Sequence, residues 1–169
     1  MANAGLDSIA EQLVRLLKDR SMFMTAAESC TSGLLAEIIG RIPGASACFW
    51  GSFVCYTTGA KKIMLGIKEE LLSEYGAVSE ETARAMALGA LEKSGVDLAV
   101  SITGLAGPGS DGSDLALGTV WIATALRSIG PEDIEAVKFH FSGERNIIRK
   151  QAAEKALEQI IIRLNRIVH

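Results

Sequence analysis

Short apolar runs, each too brief for a helix, alternate along this chain with segments of helical spacing. That alternation restricts the possible folds more than any other feature. Residues 22–27, 48–56, 98–103 and 119–126 read as strands, and 134–141 alternates apolar and polar residues as a strand with one solvated face does. Between them lie helical patterns. Over about 7–20, Leu6, Ile9, Leu13, Leu16 and Leu17 recur at helical spacing, and Ser8 with Glu11 reads as a capping box. Further helices are predicted over 34–41, from Gly59-Ala60-Lys61-Lys62, over 68–75 up to Gly76, and from a Ser79 cap to Ser94 with Gly95 beyond. A last helix begins near Gly143, with Ile147, Ile148, Ala152, Leu157, Ile160, Ile161, Leu164 and Val168 as its apolar face. Turns fall at Ile42-Pro43-Gly44 and Gly130-Pro131. The order predicts one α/β domain over residues 1–169, with three αβα layers and a mixed, mostly parallel central sheet whose last two strands form a hairpin.

With 169 residues the chain can bury a core without a metal or disulfide staple. Seventeen basic against twenty acidic residues give a net charge of −3, the wrong sign for nucleic acid, so no nucleic-acid partner is expected. The one long charge-free stretch, 42–60, is interrupted by Pro43, Gly44 and Gly51, so no membrane span is expected either. The N-terminus has no apolar signal-peptide core. Cys30, Cys48 and Cys55 are odd in number and lack a C-x-x-C spacing, which suits reduced thiols in the cytoplasm better than a disulfide framework or zinc site. There are only two histidines, His169 at the terminus and His140 in the alternating strand, read as exposed. A histidine triad would have to rest on His140, so a general base is expected among Lys, Tyr or carboxylate, with no metal or cofactor.

Four constellations can carry chemistry. Ala27-Glu28-Ser29-Cys30-Thr31-Ser32-Gly33 is a polar turn between a strand and a helix N-terminus, where free N–H groups suit an oxyanion or phosphate. Plain N-capping by Thr31 or Ser32 is the alternative, although four successive polar side chains exceed what a cap needs. Tyr56-Thr57-Thr58-Gly59-Ala60-Lys61-Lys62 brings a tyrosine to a strand end and Lys61 to the first turn of the next helix. On the same sheet edge as the serine turn, a neutral lysine could deprotonate a serine; a surface lysine pair is the plainer reading. Thr103-Gly104-Leu105-Ala106-Gly107-Pro108-Gly109-Ser110-Asp111-Gly112 matches G-x-G-x-x-G, yet a strand follows where the dinucleotide fingerprint requires a helix. Its glycines instead suit close backbone approach to a ligand, or simply a flexible loop. Arg145 and Arg149 share one helix face near its start, either to meet a phosphate or as ordinary surface cations.

Taken in order, these segments resemble the CinA C-terminal domain family over nearly the whole chain. The resemblance rests on Ala27-Glu28-Ser29-Cys30-Thr31-x-Gly33, Tyr56 with Ala60-Lys61, Gly76-Ala77-Val78-Ser79-Glu80, Thr103-Gly104-x-Ala106-Gly107-Pro108, Gly118-Thr119-Val120 and Ser142-Gly143-x-Arg145. It implies a nicotinamide-nucleotide amidase that converts nicotinamide mononucleotide to the nicotinate nucleotide and ammonia. By position, Ser29 resembles the nucleophile, Lys61 its general base and Tyr56 the group that orients and relays the proton. The implied substrate-binding set is Cys30, Thr31, Gly33, Thr103, Gly104 and Gly107, with the phosphate near Arg145, Arg149 or residues 107–112. The partner is then a small pyridine nucleotide, the protein a stand-alone form of the domain, and exposed apolar helix surface allows a homo-oligomer. Two positions depart from the family: Ser32 stands where glycine is usual, and Thr57-Thr58-Gly59 replaces the frequent Ser-Asn-Glu. Cys30 is the rival nucleophile. A non-catalytic nucleotide-binding module is the rival function. No serine is followed by lysine three residues on, which excludes a β-lactamase-like centre.

Overall fold

The computed structural model describes residues 4–109, 112–127 and 133–167. The elements run α1 (Ala4–Asp19), β1 (Met24–Glu28), α2 (Leu34–Gly40), β2 (Phe49–Val54), α3 (Thr58–Leu65), α4 (Glu69–Tyr75), α5 (Glu80–Ser94), β3 (Leu98–Gly104), β4 (Thr119–Leu126), β5 (Ile134–His140) and α6 (Arg145–Arg166). A single 3-10 turn, Ala45–Ala47, precedes β2.

The sheet order is β2-β1-β3-β4-β5. β1 pairs in parallel with both β2 and β3, whereas β4 is antiparallel to both β3 and β5. Four strands therefore point one way and β4 alone the other, which is the mixed sheet expected. β4 and β5 pair as the expected hairpin, with Trp121 opposite Lys138, while the Gly130-Pro131 turn lies outside the described residues.

Two apolar layers flank the sheet. On one face α1, α2 and α6 bury Leu13, Leu17, Leu35, Ile38, Leu157 and Ile160 against Leu98, Val100 and Ile122. On the other, α5 lays Ala83, Met86, Ala87 and Ala90 against Ala27, Ala99, Ala123 and Ala125, with Leu65 of α3 and Leu72 of α4 closing the layer. Small residues at that second interface let α5 sit close to the strands, and Ser101 Oγ donates to the Ala83 carbonyl at 2.6 Å.

Local signals hold where they are purely local. Ser79 Oγ accepts the Thr82 N–H at 3.1 Å, and Gly95 closes α5 at φ 73°. His140 is exposed, as read. Others give way to packing. α1 already runs through Ala4, so Ser8 is an exposed residue inside the helix and not its cap, because burying Leu6 requires an earlier start. In α6, Ile147 is half exposed, and the apolar stripe begins at Ile148; Val168 lies outside the described residues.

Candidate active site

β1, β2 and β3 run in parallel, so their C-terminal ends share one edge, where α/β sheets generally bind ligands. Glu28 pairs with Val54 on one side and Ile102 on the other. The residues just beyond, Ser29, Cys55-Tyr56 and Thr103-Gly104, must therefore emerge side by side. β5 ends at the same edge, so the start of α6 arrives there as well. A cleft of about 240 Å³ results, lined among others by Ser29, Cys30, Tyr56, Lys61, Thr103, Gly104, Gly107 and Arg145.

The centre of the cleft is a serine–lysine pair. Thr57 Oγ1 accepts the Ala60 N–H at 3.1 Å and starts α3, which carries Lys61 back over the sheet edge. Lys61 Nζ lies 2.8 Å from Ser29 Oγ and donates to the Cys55 carbonyl at 3.2 Å. The lysine is 1% exposed, and no carboxylate pairs with it among the described residues. Burial without a counter-ion penalises the ammonium, so its pKa is lowered from the ordinary lysine value. A neutral amine here presents its lone pair to a hydroxyl within hydrogen-bond reach, the arrangement that activates a nucleophile. Cys30 is differently placed. Desolvation pushes its thiol up to about 11, so it stays protonated, and Lys61 faces the serine instead.

The turn itself is held by Glu28, which the reading of the sequence had not assigned a structural role. Its carboxylate is fully buried and accepts N–H groups of Gly33 (2.9 Å), Leu35 (3.1 Å) and Ala36 (3.0 Å), together with the Ser52 hydroxyl (2.9 Å). Glu28 thus caps α2 from the strand end. The expected cap by Thr31 or Ser32 does not form: the N-cap position is Gly33 at φ 90°, with no side-chain bond of its own. Nor is the α2 N-terminus free for an anion, since a carboxylate already occupies it. Ser32 adopts φ 53°, the left-handed region that favours glycine, which gives a physical reason for the glycine usual at this place.

Not all the predicted binding residues reach the cleft. Cys30, Thr103, Gly104, Gly107 and Arg145 line it; Thr31, Gly33 and Arg149 do not. Thr103 Oγ1 is tied to the Ala77 carbonyl at 2.7 Å and fixes the segment that roofs the cleft. Gly104 has no room for a side chain, because a Cβ would stand 2.6 Å from Val120 Cγ2 and 2.7 Å from the Thr119 carbonyl oxygen. Arg145 spans the mouth, donating to the Gly107 carbonyl and, at 2.7 Å, to the Tyr56 hydroxyl. Tyr56 therefore offers its ring hydroxyl to Arg145 at the rim, while its carbonyl, 3.4 Å from Ser29 Oγ, faces the nucleophile. Arg149 donates to the carbonyls of Cys30 (3.1 Å) and Thr31 (2.7 Å). Ser110 and Asp111 of the glycine loop are outside the described residues. Among the described residues no cluster of three His, Cys, Asp or Glu could hold a metal ion, and no helix is long and apolar enough to cross a membrane.

Comparison with known proteins follows the same outline. The profile of the CinA C-terminal domain matches residues 6–164. The chain is 42% identical to the nicotinamide-nucleotide amidohydrolase PncC of Escherichia coli K12 over 161 residues, 95% of each protein. It is 40% identical over 154 residues to a CinA-like protein of Thermotoga sp. RQ2; that match takes in 91% of this chain but only 36% of the longer relative, so the chain spans about a third of that protein's length. The crystal structure of the competence/damage-inducible protein CihA of Agrobacterium tumefaciens superposes with a TM-score of 0.89 at 36% identity, covering 95% of this chain and 96% of that one.

Proposed function

Because this chain belongs to the CinA C-terminal domain family, we propose that it is a nicotinamide-nucleotide amidase working through Ser29 and Lys61. The observation that carries the reading is the 2.8 Å contact between a serine oxygen and a buried lysine without a counter-ion, at the bottom of an open cleft. The 42% identity to an enzyme named for that activity supplies the substrate.

The chemistry follows from the geometry. Neutral Lys61 takes the hydroxyl proton as Ser29 Oγ attacks the carboxamide carbon, and the carbonyl oxygen becomes an oxyanion held by backbone N–H groups. Collapse breaks the C–N bond, and the Lys61 ammonium returns the proton to the departing nitrogen, releasing ammonia. Water then gives a proton to Lys61 as it attacks the acyl-enzyme, and Lys61 returns that proton to Ser29 Oγ as the nicotinate nucleotide departs. Because Lys61 touches Ser29 directly, no tyrosine relay is needed. Tyr56 is instead assigned to the rim, where with Arg145 it would meet the substrate phosphate. The three free, buried cysteines accord with a reducing, cytoplasmic setting.

Ammonia release from nicotinamide mononucleotide by the purified protein tests the reading. Ser29→Ala should lower turnover by more than about 10³-fold, while Cys30→Ser should retain most of it. The reverse pattern would make the cysteine the nucleophile, and substrate binding without turnover in the unaltered protein would make the chain a binding module. Arg145 should act on binding. It has no carboxylate partner among the described residues, so its charge is available to an anion. Arg145→Met should raise KM by about 10–100-fold, the loss of one charge-assisted phosphate contact, with kcat changed only a few-fold.

A further inference from the structure

Arg149 lies 119 residues from Cys30 in sequence and was expected among phosphate ligands, yet its donors face backbone. Its Nε donates to the Cys30 carbonyl at 3.1 Å and its Nη2 to the Thr31 carbonyl at 2.7 Å, while Asn146 Oδ1 accepts from its Nη1 at 3.1 Å. A third carbonyl in the run, that of Ser29, accepts the Ser32 N–H at 3.1 Å. Three consecutive peptide planes are thereby pinned through their oxygens, one by the turn and two by a single guanidinium.

In a trans peptide the N–H points opposite to the C=O. The N–H groups of Cys30 and Thr31 are accordingly directed away from the groups that hold Ser29 O and Cys30 O. Cys30 lines the cleft, whereas Arg149 does not. Among the described residues these two N–H groups donate to no carbonyl or carboxylate. Those nearest in sequence are committed: Ser29 N–H to Ile102 O, Ser32 N–H to Ser29 O, and Gly33 N–H to Glu28. A cation on the carbonyl side of a peptide also polarises it, which strengthens the N–H as a donor.

We propose that Arg149 is the positioning residue of the oxyanion hole: its hold on the Thr31 carbonyl fixes the peptide whose Ser32 N–H grips Ser29 O, and so aims the Cys30 N–H, on the opposite side of that Ser29–Cys30 peptide and at the cleft wall, at the oxygen that becomes negative when Ser29 attacks. The inference rests on the serine-hydrolase reading above and assigns Arg149 no contact with substrate. It separates two arginines one helical turn apart, Arg145 acting on ground-state binding and Arg149 on the transition state alone.

The test is a split of kinetic constants. Arg149→Met should lower kcat by up to about 10²-fold, the cost of misaligning an oxyanion donor, with KM within two-fold of the unaltered enzyme. The pH dependence of kcat, which reports Lys61, should keep its position. Arg149→Lys, with its charge but without the fork, should fall between, and guanidinium at sub-denaturing concentration should partly restore an Arg149→Ala variant. A raised KM at unchanged kcat would make Arg149 a phosphate ligand and overturn the proposal. So would a fall in kcat matched by displaced Lys61 titration, which indicates general distortion of the site. Labelling of Ser29 by an arylsulfonyl fluoride, followed by intact mass, keeps this inference separate from the amidase reading. If nicotinamide mononucleotide is not hydrolysed but Ser29 is labelled, slower labelling of Arg149→Met still supports the positioning role, and equal rates refute it.

Discussion

Replacing Lys61 with methionine should abolish amide hydrolysis and at the same time make the protein more stable. The two effects have one cause. Lys61 is the largest fully buried polar side chain, held by one serine hydroxyl and one carbonyl. As general base it contributes roughly 10²–10⁴-fold in rate, and its loss leaves Ser29 beside an inert thioether. In the folding equilibrium it is a burden. Burial lowers its pKa in the folded chain below the unfolded value of about 10.4. As pH falls below about 10.4, the unfolded chain binds a proton that the folded chain refuses, so folding stability declines with falling pH until the folded pKa is also passed. Methionine of similar length removes that linkage. The variant should therefore gain on the order of 1–2 kcal/mol near neutral pH, about 2–4 °C in Tm per kcal/mol for a chain of this size, with the smallest gain above pH ~10.4. Thermal melts across pH measure it; a variant that melts lower at neutral pH contradicts a strained, uncompensated lysine. In the unaltered enzyme, kcat should rise with pH through the lowered Lys61 pKa, with its limb below that of a surface lysine.

Glu28→Ala should have the opposite sign and the larger effect on stability. One fully buried carboxylate satisfies three N–H groups of the 33–36 turn and the Ser52 hydroxyl, and the substitution leaves all four without that partner. An unsatisfied buried donor costs about 1–3 kcal/mol, and breaking a buried charged network costs about 3–5 kcal/mol. A loss of about 3–5 kcal/mol is expected, read as a lower denaturation midpoint. Glu28→Gln should lose less than alanine, since its carbonyl oxygen still accepts while its amide must face an N–H. Both variants should also be slow enzymes, because the same carboxylate fixes the start of α2 against the Ser29 turn. If Glu28→Ala folds with nearly unchanged stability, water fills the site and the carboxylate is dispensable.

How much of this was legible beforehand depended on the range of the forces involved. Strand and helix order, the Ser79 cap, the glycine stops and the β4–β5 hairpin all follow from patterns within a few residues, where the chain itself fixes the geometry. Strand order placed the Ser29 turn and the Lys61 helix start where they could share one sheet edge, but spacing alone favoured a surface lysine, and it was the family resemblance that paired them. Partner choice was not readable. Thr31, Ser32 and Glu28 are all competent caps, and a cap is chosen by which oxygen the packed turn brings to the free N–H groups; burying Glu28 between β2 and β3 chose it. Arg145 and Arg149 have the same chemistry and the same helix. Only the docking of α6 sends one across the cleft to Tyr56 and Gly107, and the other under the turn.

The amino-acid order alone thus determined the layers of this protein, since periodicity and strand direction are properties of neighbouring residues, whereas Ser29 and Lys61 were singled out as a pair by the family resemblance. The tertiary structure decided how far that lysine is withdrawn from water and its pKa lowered, which carboxylate holds the turn and what each arginine grips. Those are questions of solvent exclusion and of contacts across long stretches of chain, and no local pattern encodes how much water is left around a group once the layers close.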